Sequence, residues 1–395
     1  MSGPIMRGRP TWIEVDLAAV RSNLGVLRDV AGPGVSILGV VKSNAYGHGL
    51  VEVARTLSGQ GIEFLGVSNL DEALVLRESG IQTPILVLGP IEEGALPEII
   101  GKRICPTVVT PGRVKELQAL AAKYGEEICV HVKVDTGMGR LGVRLESAQD
   151  LIRQVSEARG LRCEGIYTHF ACADMDMDFT RVQIEHFQKL LSALGREGRQ
   201  IRHVHSANSA ATLRWPWTHF NMVRPGLALY GLRPGPLPEA ARYVSRLKPA
   251  LSFKTRISGT KFMKRGESIS YGRTQVLRRD SWVGILPVGY ADGYPFAAAG
   301  RAQVLIGGRR VPVLGRITMD LMAVDLGSQP LAGPGEEVVL LGRQGFERLG
   351  AEEFATWAHT IPYEIVCGWS HRLPRHFVGA EEASGHALTA QSSVL

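Results

Sequence analysis

Residues Ser36–Leu50 read "SILGVVKSNAYGHGL". A short apolar run of strand type ends on a long cation, Lys42, and Tyr46 and His48 follow among glycines. The same form recurs outward along the chain. Between Val35 and Gly231, strand-like runs are "SILGVVK", "EFLGVSN", "ILVLG", "CPTVVT", "ICVHVKVD", "CEGIYTHF", "RHVHSANS" and "NMVRPGLALYG". Segments of helical period, such as "GRVKELQALAAKYG" and "TRVQIEHFQKLLSALGREG", separate most of them. Apolar runs that do not alternate with polar residues belong to a parallel sheet covered on both faces. Eight strand–helix units are what a (β/α)8 TIM barrel requires. An open doubly wound sheet is the competing architecture, but no GxGxxG follows the first strand.

The pattern changes around Pro234–Leu247. Downstream come "LSFKTRISGT", "SWVGILPVGYADG", "AQVLIGGRRVPVLGRITMDLMAVDLG" and "EEVVLLGRQG", with one helical insert near "AEEFATWAHT". Short strands divided by Gly-rich turns predict a mainly β C-terminal domain. The reading is a barrel unit over 11–245, a β unit over 246–379 and a frayed tail over 380–395. The early run "TWIEVDL" stands outside the eight barrel strands.

Bulk properties narrow the function. The charge of +7, from 45 Lys and Arg against 38 Asp and Glu, suits a small anionic ligand. Its basic residues form no long cluster of the kind nucleic acid needs. No apolar stretch is long enough to span a bilayer, and "MSGPIMRGRP" has no apolar signal core. Five cysteines without a CxxC pair argue for free thiols in the cytoplasm. Cys163, His169 and Cys172 match no zinc spacing, so no metal is expected.

In a (β/α)8 barrel the chemistry sits where the βα loops converge, at the carboxyl ends of the strands. The out-of-place polar residues fall there. Lys42 ends the first strand, Asp135 and Arg140 follow the fifth, and His169 ends the sixth. Asn208 and Ser209 end the seventh, and Arg224 lies in the eighth. A lysine among apolar neighbours loses proton affinity and becomes a nucleophile toward carbonyls, although snorkelling to water is its commoner fate. The loops after strands seven and eight are the usual phosphate site, here with Ser209, Gly226 and Leu227; small residues also simply close tight loops. Lysine and phosphate cradle together suggest pyridoxal 5′-phosphate, and Arg224 is placed to face its ring nitrogen. An arginine keeps its protons, so the ring would withdraw charge only partly, which suits a fast proton swap at Cα. Lys133, Asp135 and Arg140 share one strand and its glycine loop, where a guanidinium fork suits a carboxylate. His169 reads as a relay or as a satisfied core histidine.

Segments in matching order make the chain resemble the fold-type III pyridoxal-phosphate enzymes and, within them, the alanine racemase family. They are "VVKSNAYGHG", "VDTGMGRLG", "SANSAAT", "VRPGLALYGL", "SISYGRT", "PVGYADGYP" and "GRITMDL", set between "PTWIEVDLAAVRSNL" and "YEIVCGWSHRLPR". The resemblance implies that Lys42 holds the cofactor and is the base for the D-enantiomer. Tyr271 would be the opposite-face base for the L-enantiomer, entering from the partner subunit of a homodimer whose sites are shared. Arg140 and the Met319 N–H would meet the substrate carboxylate. Tyr46, Ser209, Gly226, Leu227 and Tyr363 would surround the phosphate, with Asn208 and His169 beside them. Lys133 corresponds to a lysine often carbamylated. The implied product role is D-alanine for peptidoglycan.

Two positions depart from the family. Thr318 stands where many relatives have cysteine, and Phe296 where they often carry an arginine of the substrate entry, otherwise formed here by Arg316, Ile361 and Asp174. A serine-type or broader amino-acid racemase is the nearest alternative. A decarboxylase would put a carboxylate in place of Arg224. A non-catalytic cofactor carrier would not need the β unit, and a lysine aldolase would need no cofactor.

Overall fold

A computed structural model describes residues 10–197 and 201–380. Its first sheet closes on itself. The eight barrel strands are Ser36–Val40, Phe64–Val67, Ile85–Val87, Ile104–Val108, Ile128–Asp135, Leu161–Tyr167, His203–His205 and Met222–Val223. Each pairs in parallel with the next, from Leu38↔Phe64 through Thr107↔His131 to Met222↔His205. The eighth returns to the first through Met222↔Ser36 and Val223↔Ile37. The (β/α)8 barrel read from the sequence is therefore present. Its unbroken apolar runs follow from burial on both faces: Ile37, Leu38, Leu65, Val87, Val130 and Val132 are all fully buried.

Local chemistry sets the helix limits. Asp16 caps Leu17–Ala31 by accepting from the Ala19 N–H at 3.0 Å. Thr110 caps Pro111–Tyr124, whose proline sits in the first turn and whose end is the left-handed Gly125. Asp176 caps Met177–Arg196.

Inside the barrel the packing is polar. Thr107 Oγ1 meets Tyr167 Oη at 2.9 Å, and His131 Nδ1 meets His205 Nε2 at 2.9 Å. Gly165 leaves room for this layer, since a Cβ there would lie 2.4 Å from His131 Nδ1.

The second sheet is ordered Gly259–Met263, Ser281–Leu286, Met322–Gly327, Arg309–Leu314, Gln303–Ile306, Glu337–Gln344, Leu251–Arg256, Thr11–Asp16 and Arg375–Val378. It is the mainly β C-terminal domain, with the expected helix at Ala351–Ala358. Thr11–Asp16 precedes the barrel in the chain yet lies in this sheet, antiparallel to Leu251–Arg256 and parallel to Arg375–Val378. The sequence reading kept this run out of the eight strands but within the barrel unit. Residues 381–395, nearly all of the expected tail, fall outside the described residues. One apolar core runs from the barrel helices to the second sheet. Among the described residues no helix is long and apolar enough to cross a membrane.

Asn23 joins the first helix to the crossing between the two sheets. Fully buried, its Nδ2 donates to the carbonyls of Leu229 (3.0 Å) and Lys248 (2.8 Å), and its Oδ1 accepts from the Lys248 N–H at 2.8 Å. Asn23→Ala strands all three groups and is expected to cost about 2–4 kcal/mol, measured by denaturant unfolding. A loss below about 0.5 kcal/mol would show that the three bonds contribute little to stability.

Candidate active site

The first strand stops at Val40, and the chain then turns the wrong way for L-residues. Ser43, Asn44, Ala45 and Tyr46 all have φ between 52° and 55°, followed by Gly47 at 79°. Each non-glycine residue in this region costs about 1–2 kcal/mol. Internal bonds hold the turn: Ala45 N–H to Val41 O (2.7 Å), Gly47 N–H to Ser43 O (3.0 Å) and Gly49 N–H to Asn44 O (3.0 Å). His48 contacts Tyr46 O through Nδ1 at 2.8 Å and is pushed down to about 4 by burial, so it donates there as a neutral ring. Strand and turn together set Lys42 two residues beyond the strand end. Burial, then the Arg140 charge, holds its amine below the ordinary lysine range, against smaller opposing effects of Cys367 and Glu72.

Tyr46 is buried, with its ring 5.0 Å from Tyr230 and 6.2 Å from Tyr363. Burial, then Tyr363, raises its pKa, so the hydroxyl keeps its proton and can donate. It closes over bare backbone: a Cβ on Gly226 would sit 2.4 Å from Tyr46 Oη. Ser209 Oγ accepts from the N–H groups of Gly226 (2.9 Å) and Ala228 (3.2 Å), tying the loops after strands seven and eight together. Asn208 acts one step back: its Oδ1 caps the helix Ser209–Arg214 by accepting from the Ala211 N–H at 3.1 Å. Leu227 is buried and opens the turn Leu227–Tyr230. Tyr363, half-buried at the start of Pro362–Cys367, has its hydroxyl pushed up to about 12 by burial, then by Asp174.

Arg224 directly follows the eighth strand and is buried. It donates to His205 Nδ1 (2.9 Å), Thr168 O (2.6 Å), Ser206 O (3.1 Å) and His169 Nδ1 (3.3 Å), and none of these is a carboxylate. Since arginine has no acceptor, His205 Nδ1 must be a lone pair and its Nε2 carries the hydrogen toward His131 Nδ1. His131 Nε2 is then a buried N–H without a hydrogen-bond partner. Burial, then charged or imidazole neighbours, drives His131 down to about 3 and His205 well below the ordinary range. His169 is likewise held neutral, by burial and then by Arg224, Lys133, Arg140 and Lys42. The sequence reading did not single out His131 or His205; their signal was a basic side chain at every second place, His131 and Lys133 in "HVK" and His203 and His205 in "HVHS".

Lys133 lies on the inner face of the fifth strand, with Nζ 5.6 Å from the centre of the Tyr167 ring. Asp135 shapes the following loop by accepting from the Gly137 (3.0 Å) and Gly139 N–H groups, and Arg140 stands exposed at its end. The charges of Lys42, Lys133, Arg140 and Arg224 all act on this one mouth. Such a place favours a ligand carrying several anionic oxygens. A phosphorylated pyridine aldehyde fits: the cradle is closed by glycine backbone and hydroxyls, and Arg224 has donors without an acidic partner.

Several other expected residues are exposed. Tyr271 is 72% exposed, in a surface cleft with Arg316, Thr318 and Leu321, and Met319 is 55% exposed. Phe296 and Ile361 are exposed, Phe296 lying 6.4 Å from the Tyr290 ring. Asp174 packs near Gly235.

Burial, then Arg224, Arg140 and Lys42, lowers Lys133 from 10.5 to about 8. Between those values the unfolded chain binds more protons than the folded one, so stability rises with pH. In the ligand-free protein the stability of wild type relative to Lys133→Met is expected to climb from pH 8 to pH 10.5 and to stay level below. Parallel urea-unfolding curves across that window would refute the lowered value.

Comparison with known proteins identifies the family. The family model "Alanine racemase, N-terminal domain" matches residues 15–234, and "Alanine racemase, C-terminal domain" matches residues 250–377. The alanine racemase of Halothermothrix orenii is 42% identical over 370 residues, covering 93% of this chain and 97% of its own. That of Symbiobacterium thermophilum is 42% identical over 376 residues, 95% of this chain and 98% of its own. The crystal structure of alanine racemase from D-cycloserine-producing Streptomyces lavendulae superposes with a TM-score of 0.89 at 37% identity, over 95% of this chain and 99% of that one. The Bacillus anthracis alanine racemase, solved with bound L-Ala-P, gives 0.87 at 38% identity, over 94% and 96%. With both of its units matched and nearly its whole length aligned, the chain belongs to the alanine racemase family.

Proposed function

We propose that this protein interconverts L-alanine and D-alanine with pyridoxal 5′-phosphate, in two units spanning 11–245 and 246–379, and that the D-alanine serves peptidoglycan synthesis. The observation that carries the reading is Arg224: a buried guanidinium with neutral partners only, beside a lysine, at the mouth of a barrel. When bound, the cofactor supplies an electron-withdrawing ring that acidifies the substrate Cα–H.

The chain's residues do the rest. Lys42 Nζ, its proton affinity lowered by burial, holds the cofactor and takes or returns the Cα proton on the D side. Tyr271 Oη does so on the L side. Two groups on opposite faces are needed because one alone would return the proton to the face it left. Arg224 keeps its protons, so it holds the ring nitrogen by hydrogen bonding without protonating it. Tyr46, Ser209, Gly226, Leu227 and Tyr363 form the phosphate cradle, with Asn208 setting the helix that presents Ser209. Arg140 and the Met319 N–H orient the substrate carboxylate, and Lys133, carbamylated or not, stands behind Arg140. His169 stays neutral beside Arg224. The exposure of Tyr271 and Met319 supports a homodimer in which each subunit completes the other's site. No disulfide joins any of the five cysteines, all of them among the described residues, which supports a reducing, cytoplasmic setting.

A chiral assay with L-alanine, L-serine and L-lysine, with and without added cofactor, tests the activity; turnover of alanine that needs the cofactor is expected. Tyr271→Phe should slow proton abstraction from L-alanine by about 10²-fold or more and from D-alanine much less. Equal loss in both directions argues against the assignment. Co-expression of Lys42→Ala with Tyr271→Phe should restore activity that neither has alone, because a mixed dimer holds one intact site. No restoration would mean that each site is built from one chain.

A further inference from the structure

The four left-handed residues after Lys42 need something to hold them, because strain of this kind persists only where surroundings over-determine it. The turn's own backbone bonds are the three above and the His48 N–H to Ala45 O at 3.1 Å. From outside, Arg375 Nε donates to the Gly47 carbonyl at 2.8 Å, at the glycine end of the turn. Asn44 Oδ1 looks forward and accepts from the Leu50 N–H at 2.8 Å, at the start of the helix Leu50–Gly59. Neither reaches a backbone N–H of the four strained residues. Among the described residues the side chain that does so is Glu72.

Glu72 sits in the first turn of the helix Leu70–Glu78, half-buried. Its Oε1 accepts from the Asn44 N–H at 3.1 Å. Its Oε2 accepts from both the N–H (3.0 Å) and the hydroxyl (2.8 Å) of Ser68. Ser68 directly follows the second barrel strand, and its carbonyl lies 2.3 Å from where a Cβ on Gly89 would stand, so it packs against the bare backbone of the loop after the third strand. Asn69 Oδ1 in turn accepts from the Glu72 N–H at 2.9 Å and fixes the helix start. One carboxylate therefore ties the strained turn of the first strand to the end of the second.

Resting on the assignment of Lys42 above, we propose that Glu72 is a positioning residue: by bridging the Asn44 N–H and Ser68 it holds the left-handed turn that aims the Lys42 amine at the cofactor and substrate. It touches neither of them. A carboxylate is suited to the task because it alone accepts on both oxygens; a glutamine of the same size would present an amide N–H to one of the two donors. The charge has its own consequence. The ionisable groups acting on Lys42 are Arg140, which lowers its proton affinity, and Cys367 and Glu72, which raise it; Lys133 and His169 feel Lys42 in turn. Removing the Glu72 charge should let the Lys42 amine lose its proton at lower pH.

The test compares Glu72→Gln and Glu72→Asp with wild type in three measurements. Amide hydrogen exchange, read on the holoenzyme, should speed up about tenfold or more over residues 43–49 in both variants, with the loop 137–142 unchanged. For Glu72→Gln, kcat for alanine should fall about 10- to 100-fold while KM changes less than about threefold. In cofactor-free protein, arylation of Lys42 by trinitrobenzenesulfonate, located by peptide mass, should show a lower pH midpoint in Glu72→Gln and a wild-type midpoint in Glu72→Asp. Exchange and kcat within twofold of wild type in Glu72→Gln would overturn the proposal. So would exchange that rises equally in both loops, since that marks general destabilisation. If Glu72→Gln does not fold, Ser68→Ala, which removes one of the three donors, should move exchange over 43–49 in the same direction, and no change there overturns the proposal. Hydride reduction of wild type that places the pyridoxyl group on a side chain other than Lys42 would sink the assignment of Lys42 itself, whereas the exchange data would still report whether Glu72 holds the turn.

Discussion

A guanidinium buried without an acid is the condition around which the barrel interior is arranged. Removing an ion from water is costly unless hydrogen bonds replace its hydration. Arg224 has two carbonyls, Thr168 and Ser206, and two imidazoles, His205 and His169. Those imidazoles can accept only while neutral, and the arginine's own charge is among the causes that keep them so. Cation and histidines thus fix one another's protonation. This also explains why the barrel is not filled by branched apolar side chains throughout. The His131–His205 contact needs a polar layer, and Gly165 gives up its side chain to make space for it.

The left-handed turn after Lys42 is the matching constraint on the other side of the mouth. An ordinary βα loop would carry a strand-end lysine onward into its helix. Four residues at φ near 53° instead reverse the local hand of the chain, so Tyr46 comes to lie over Gly226 while Lys42 stays at the strand end. The two features depend on each other. Any side chain at position 226 would strike the Tyr46 hydroxyl, and a right-handed turn would leave that glycine uncovered. Strain located here is consistent with a site that must be rigid before its ligand arrives.

The barrel was legible in the sequence because parallel strands buried on both faces leave unbroken apolar runs, and all eight were read in their order. Even the eighth, only Met222–Val223 in the sheet, was marked by the apolar run around it. The strand-end residues Lys42, Arg140, His169 and Arg224 could be placed at one mouth from topology alone. Physics that depends on hydrogen-bond partners was not legible. A histidine inside an apolar run reads as core, so the His131–His205 link to Arg224 went unnoticed. The left-handed turn left no signal beyond two glycines, because Ser43, Asn44 and Ala45 adopt it through the turn's own bonds and the Glu72 contact to Asn44 rather than propensity. Thr11–Asp16 was read as outside the eight strands by its position before the first helix, though within the barrel unit, and its pairing with Leu251–Arg256, some 240 residues away, is a tertiary fact.

The exposed segment around Met319 follows a third kind of logic. An exposed loop is ordinarily mobile, yet this one is fastened from behind. The N–H groups of Tyr290 and Ala291 donate to the carbonyls of Thr318 and Met319, each at 3.0 Å. Gly289 permits that approach, since a Cβ there would fall 2.1 Å from the Thr318 carbonyl. Arg372 then clasps both sides, pairing with Asp292 at 2.7 Å and Asp320 at 2.8 Å. Thr318 closes its own turn by donating to the Leu321 carbonyl at 2.7 Å, which a cysteine would do only weakly. The departure at 318 therefore strengthens the local frame and leaves the Met319 backbone in place. In the homodimer proposed above, an exposed backbone held this firmly would already have its working shape, so little ordering entropy would be lost when the second subunit presents the other half.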